Sequence, residues 1–218
     1  MWVVKIGGSL INRTEDLSSL VRAIARISSI TPIAIVAGGG RYADIIRVLD
    51  EHSEIGPSGA HWLAVLTMHF NAYRLKTTWP QTFSVSYNPR PQVRGRVPIL
   101  LPYTLVKDSS LPQSWEVTSD TISALLAHRL GCGLALLKSV EGVYDRYPGG
   151  TLLKTIHTEE LAQLRHSPVD PFLPIYLSSH GMDAWVLTGR DPARLERLMN
   201  NGRTHGTHIY RDLRTISP

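Results

Sequence analysis

The chain of 218 residues has a single cysteine, Cys132. Intramolecular disulfides are therefore impossible, which fits a reducing compartment. Its setting in Leu130-Gly131-Cys132-Gly133, between a helix and an apolar strand, predicts a buried structural thiol. No apolar run reaches the roughly 20 residues that cross a bilayer. No block of about five or more like charges marks a nucleic-acid tail. The nine histidines show no His-x-x-x-His or Cys/His ligand spacing, so a structural metal is not expected. Repeats and low-complexity segments are missing as well. Met1-Trp2-Val3-Val4-Lys5 runs straight into a strand and lacks a signal-peptide shape. The expectation is a soluble cytoplasmic protein that binds neither membrane nor nucleic acid.

What is present is a core and an excess of scattered positive charge. Hydrophobic residues make up 43%, and the net charge is +5. The arginines are dispersed, as in Arg90, Arg94, Arg96 and Arg194, Arg197, Arg203. Attraction of anionic small molecules is the economical use of that excess.

Strand and helix patterns alternate. Trp2–Ile6, 32–37, 97–101, 134–137, 184–187 and 207–210 read as strands, most of them as continuous apolar runs of the buried parallel kind. Thr14 can cap a helix with Leu17, Leu20, Val21, Ile24 and Ile27 on one face. Tyr42, Ile45, Ile46 and Leu49 mark a second helix. Residues 60–76 read as a third, with Leu63, Leu66 and Phe70 inward. Ser119 caps a fourth, striped by Ile122, Leu125, Leu126 and Leu130, and another starts at Pro192. The proline-rich stretch 79–96 reads as a strand fragment and a loop between two lobes. This alternation predicts an α/β fold, a three-layer αβα sandwich with a mainly parallel central sheet.

Two glycine clusters sit where strands hand over to helices. Lys5-Ile6-Gly7-Gly8-Ser9 closes the first strand and Gly38-Gly39-Gly40 closes the second. Glycine lets backbone approach an anion, helix N-termini aim N–H groups at it, and Lys5 adds charge. The Lys precedes its glycines, so this is not a P-loop, and neither cluster is Gly-x-Gly-x-x-Gly. Each cluster alone reads equally as a tight turn or a ligand site. Their pairing favours a polyphosphate cradle.

The second half adds two turns. Thr118-Ser119-Asp120 opens a helix, where an acid suits the dipole whatever its function. Asp120 could also hold a lysine by charge-assisted hydrogen bonds. Lys138-Ser139-Val140-Glu141-Gly142-Val143-Tyr144-Asp145 follows a strand end, where ligands bind in open α/β sheets. It reads either as a polar loop or as a nucleotide site.

In this order the four motifs resemble the amino acid kinase superfamily, over nearly the whole chain. Ser114-Trp115-Glu116-Val117-Thr118-Ser119-Asp120, Tyr144-Asp145-Arg146-Tyr147-Pro148-Gly149-Gly150 and Val186-Leu187-Thr188-Gly189-Arg190-Asp191-Pro192 are similar to its aminomethylfuran phosphate kinase branch, which serves methanofuran biosynthesis. The resemblance implies the amino acid kinase fold as one domain over 1–218, in a homo-oligomer. An acceptor lobe would span about 1–112 and a nucleotide lobe about 113–218. It implies transfer of a phosphoryl group from ATP, with Mg²⁺, to a small phosphomonoester. Lys5 and Asp120 would be catalytic, with Asp120 orienting Lys5. Gly7, Gly8, Ser9, Lys138, Ser139, Gly142, Val143, Tyr144, Asp145, Pro148 and Gly149 would meet ATP. Gly38, Gly39, Gly40, Arg41, His61, Thr118 and Ser119 would meet the acceptor. A carboxylate or nucleoside monophosphate acceptor, or a non-catalytic nucleotide binder, are the other readings. One departure is Ser178, which stands where several members place a second lysine.

Overall fold

The fold is that of a computed structural model describing residues 1–12, 14–53, 55–88 and 95–211, with the side chains of residues 14–16 and 53 also left aside. The side chain of Thr14, the expected cap, and residues 89–94 of the expected loop are thus not described. The order is β1 (Trp2–Ile6), α1 (Gly8–Ile11), α2 (Thr14–Ser28), β2 (Ile33–Ala37), α3 (Arg41–Ser53), α4 (Pro57–Thr78), β3 (Phe83–Ser86) and β4 (Val97–Leu100). It continues with α5 (Pro102–Val106), α6 (Ser119–Leu130), β5 (Gly133–Lys138), β6 (Thr155–His157), α7 (Thr158–Gln163), α8 (Leu173–His180), β7 (Ala184–Thr188), α9 (Pro192–Asn201) and β8 (Thr207–Tyr210).

The strands form one sheet in the order β3-β4-β2-β1-β5-β7-β8-β6. Neighbours run parallel except β7 and β8, which are antiparallel. β1 is central, with Lys5 opposite Val36 of β2 and Leu136 of β5. The chain leaves β1 toward β2 and returns to its other side with β5. That reversal places a crevice beyond the carboxyl ends of β1, β2 and β5.

Alternate strand residues feed two cores, as the period of 2 demands. Val3, Ala34, Val36, Leu134 and Leu136 pack with α6 and α8 on one face. Val4, Ile6, Ile33, Ile35 and Ala135 pack with α2 and α9 on the other. By the same alternation Lys5 and Lys138 fall on the α6 side, Lys5 after Val3 and Lys138 after Leu134 and Leu136.

Two expectations are corrected. In α4, Leu63, Leu66 and Phe70 face outward, 38%, 45% and 49% exposed. The helix instead buries Ala60, His61, Val65, Thr67, Met68, Asn71, Ala72 and Leu75. Apolar residues occur all round it, so composition does not mark the inner side, and the true inner stripe carries three polar residues, His61, Thr67 and Asn71. At α6 the N-cap is Thr118 rather than Ser119, and it makes no side-chain cap of its own. The amides of Thr118 and Thr121 are taken by Asp170, from a distant segment.

Candidate active site

Lys5 ends β1 with only 4% of its surface exposed, and Asp120 in the first turn of α6 is 3% exposed. Their side chains meet, Lys5 Nζ lying 2.8 Å from Asp120 Oδ1. Lys138, at the end of β5, reaches the other oxygen, with Nζ 2.5 Å from Asp120 Oδ2. One carboxylate thus bridges two lysines from adjacent strands. Burial alone would raise the Asp120 pKa, but Lys138 and Lys5 overcome it and hold the carboxyl well below its usual range. Burial brings Lys138 down to about 8; Asp120 opposes that fall and Lys5 adds to it. The centre sets Lys5 and Lys138 against Asp120, with a second carboxylate, Asp170, also acting on Lys138.

The glycine turns close over this centre. Gly7 N–H donates to Leu137 O at 2.9 Å, and Gly38 N–H to Ile6 O at 2.9 Å. A Cβ on Gly8 would overlap the Cα and N of Gly40, so the two turns touch backbone to backbone. Gly40 itself has φ +58°, in the left-handed region. Asn71, wholly buried in α4, donates to the carbonyls of Gly38 and Gly39 at 2.7 and 2.8 Å. It holds the second turn, and the motifs do not include it. Its burial and its partners appear only in the fold, so no local signal marks it.

On one side lies a cavity of about 350 Å³. Gly8, Ser9, Gly39, Gly40, Arg41, His61, Thr118 and Ser119 line it, while Gly38 does not. Asp44, Arg47 and Trp115 also line it. Arg47 stacks over Trp115 at 4.1 Å, and Trp115 Nε1 donates to Asp50 Oδ2 at 2.8 Å. These contacts join residues far apart in the chain and carry no local pattern. His61 is 5% exposed, and burial lowers its pKa, although the Ser114 and Val117 carbonyls favour its charge. Burial thus favours the neutral ring at the cavity wall.

On the other side, beyond β5, lies a cavity of about 360 Å³. Gly142 and Tyr144 line it with Val140, Tyr147, Arg165 and His166. Asp145 borders the adjoining depression, and its Oδ1 accepts from Thr151 N–H at 2.8 Å. Val143 is fully buried, its N–H bonded to Thr207 Oγ1 at 2.8 Å, so it packs and does not line the cavity. Pro148 and Gly149 are exposed and Ser139 is half-buried; none of the three lines a cavity described here. Ser178 is exposed on α8. The second cation on Asp120 therefore comes from β5, not from α8.

Known proteins resemble this chain in sequence and in fold. The chain is 30% identical over 215 residues to [5-(aminomethyl)furan-3-yl]methyl phosphate kinase of Methanocaldococcus jannaschii, covering 96% of this chain and 97% of that one. It is 26% identical to uridylate kinase of Thermofilum pendens, over 95% and 96% of the two chains. The crystal structure of UMP kinase from Bacillus anthracis superposes with a TM-score of 0.73 at 18% identity, covering 97% and 96%. The model of the amino acid kinase family matches residues 1–81 and 92–197. Fold, motif order and these matches agree: the chain belongs to the amino acid kinase family.

Proposed function

We propose that the protein transfers the γ-phosphoryl group of ATP to a small phosphomonoester, and that [5-(aminomethyl)furan-3-yl]methyl phosphate is the acceptor. The observation that carries the reaction class is the pair of lysines on one buried carboxylate, at the carboxyl ends of β1 and β5. An acceptor phosphate oxygen attacks the γ-phosphorus, the bond to the β,γ-bridging oxygen breaks, and ADP leaves. The acceptor needs no deprotonation when its phosphate is already ionised. Catalysis is then positioning plus charge stabilisation. Lys5 and Lys138 neutralise charge growing on the transferred group. Asp120 keeps both ammoniums aimed, and the amides of Gly8, Gly39 and Gly40, rather than those of Gly7 and Gly38, hold equatorial oxygens.

The acceptor belongs in the cavity beside Gly39 and Gly40, where Arg41 and Arg47 supply cations for a phosphate. The nucleotide belongs in the cavity beyond β5, against Gly142 and Tyr144. Among the described residues no group of three or more His, Cys, Asp or Glu side chains could hold a metal. Mg²⁺ fits here as a companion of the ATP phosphates, whose charge it offsets. The furan acceptor is favoured by the 30% identity to the Methanocaldococcus jannaschii kinase. Uridylate is the second reading, favoured by the similarity to uridylate kinases.

The test is ADP release from Mg-ATP with the furan phosphate, UMP, isopentenyl phosphate, acetylglutamate, glutamate and aspartate as acceptors. Turnover of the furan phosphate, at a kcat/KM at least about tenfold above every other acceptor, is expected. Preference for UMP would replace the acceptor but keep the reaction. ATP binding without turnover of any acceptor would defeat the proposal.

A further inference from the structure

Asp170 lies in the Pro168-Val169-Asp170-Pro171 turn before α8 and is 6% exposed. Its carboxylate accepts five hydrogen bonds. Oδ2 takes Thr118 N–H at 3.0 Å, Thr118 Oγ1–H at 2.9 Å and Thr121 N–H at 3.0 Å. Oδ1 takes Thr121 Oγ1–H at 2.5 Å and Leu173 N–H at 2.9 Å. Three of these donors are backbone N–H groups, which can only donate, and they favour the ionised carboxylate. It caps α6 and α8 together, a task normally given to each helix's own N-cap residue. Its own backbone N–H donates to Asp120 Oδ2 at 3.3 Å, the oxygen that Lys138 grips. The same residue therefore sets the start of the helix that carries Asp120 and touches Asp120 directly.

We propose that Asp170 is a positioning residue for phosphoryl transfer: by tying the N-termini of α6 and α8 together it fixes Asp120 between Lys5 and Lys138. A residue serving stability alone would need only the helix ends. The backbone bond to Asp120 extends its reach to the lysine pair. Lys138 faces Lys5 from β1, Asp120 from α6 and Asp170 from the turn before α8. The Asp170 charge favours the protonated Lys138, against burial and Lys5. Burial and the Asp120 charge push the Asp170 pKa up, and its Thr118 and Thr121 bonds oppose that rise. The helix ends thus sustain the charge that acts on Lys138.

The test is the Asp170→Asn variant, followed by the ¹³Cε resonance of Lys138 against pH and by the kinetics of ADP release. The kinetic arm rests on the kinase reading, whereas the titration does not. The Lys138 midpoint is expected to fall by roughly half a pH unit or more below that of the wild type. kcat should fall about tenfold or more while KM for ATP stays within about threefold. Asp170→Glu, which restores the charge, should return the midpoint toward the wild-type value. Thr121→Val keeps the carboxylate but removes one donor, and it reads the same effect in smaller measure if Asp170→Asn does not fold. A lowered Tm with the Lys138 midpoint and kcat unchanged, in whichever variant folds, would reduce Asp170 to a helix cap and overturn the proposal. A wild-type protein that turns over no acceptor would sink the kinase reading, and the titration alone would then decide the coupling.

Discussion

At the scale of single residues the centre is three side chains sharing one buried charge balance. Lys5→Ala should lower kcat by about 10²–10³-fold, the usual loss on removing one preorganised donor to transition-state charge. Steady-state ADP release checks this, and an unchanged kcat would remove Lys5 from the reaction. Lys138 sets a pH limit. Its folded pKa of about 8 lies below the ordinary lysine value of 10.5. The unfolded chain therefore binds that proton more tightly, and this group's contribution to stability rises with pH across the window from 8 to 10.5. Activity moves the opposite way, since the required ammonium is lost there. kcat/KM should fall above about pH 8, and Lys138→Arg, which stays charged, should abolish that limb. Asp120 has linkage of the same sign in an acid window: its depressed pKa gives stability that is present above the ordinary carboxyl range and is lost as strong acid protonates it. Lys5 and Asp120 stand out in the sequence because each adjoins a turn motif. Asp170 and Asn71 do not, since their partners lie 50 and 33 positions away.

At the scale of elements, the two glycine turns behave as one part. Gly8 rests on Gly40, so a methyl group at either pushes backbone against backbone. Gly8→Ala should cost about 1–3 kcal/mol of stability through overpacking and should lower kcat as well. Thermal unfolding with parallel kinetics checks both; a fully active variant of normal Tm would show that the turns can separate freely. The elements most legible in the sequence were the buried parallel strands, because β1, β2 and β5 are short runs that are apolar apart from Lys5, Lys138 and the leading Gly133. The inner side of α4 was hidden, since Leu63, Leu66 and Phe70 on its outer side are as apolar as Val65 and Met68 within. β6 has three residues and α8 carries Pro174, so neither offers enough periods to register. The antiparallel pairing of β8 with β7, across the intervening α9, is set by tertiary contacts and leaves no local trace.

At the scale of the whole molecule, the expected acceptor and nucleotide lobes share their central strand. β1 pairs with β2 on one edge and β5 on the other, so a fragment of residues 1–112 would expose a bare parallel edge. We expect the intact chain to unfold in one calorimetric transition and the 1–112 fragment to show none. Two resolved transitions would establish separate folding units. The fold class was legible because strand and helix patterns alternate throughout; the strand order was not, because only long-range pairing sets it. That order has a consequence for biosynthesis. Trp2 pairs with Gly133, about 130 residues later. At roughly 5–20 residues per second, one edge of the first strand waits some 7–26 seconds for its partner to be made. During that time Val3, Val4 and Ile6 rely on β2 alone, and the nascent chain should lean on chaperones until β5 emerges.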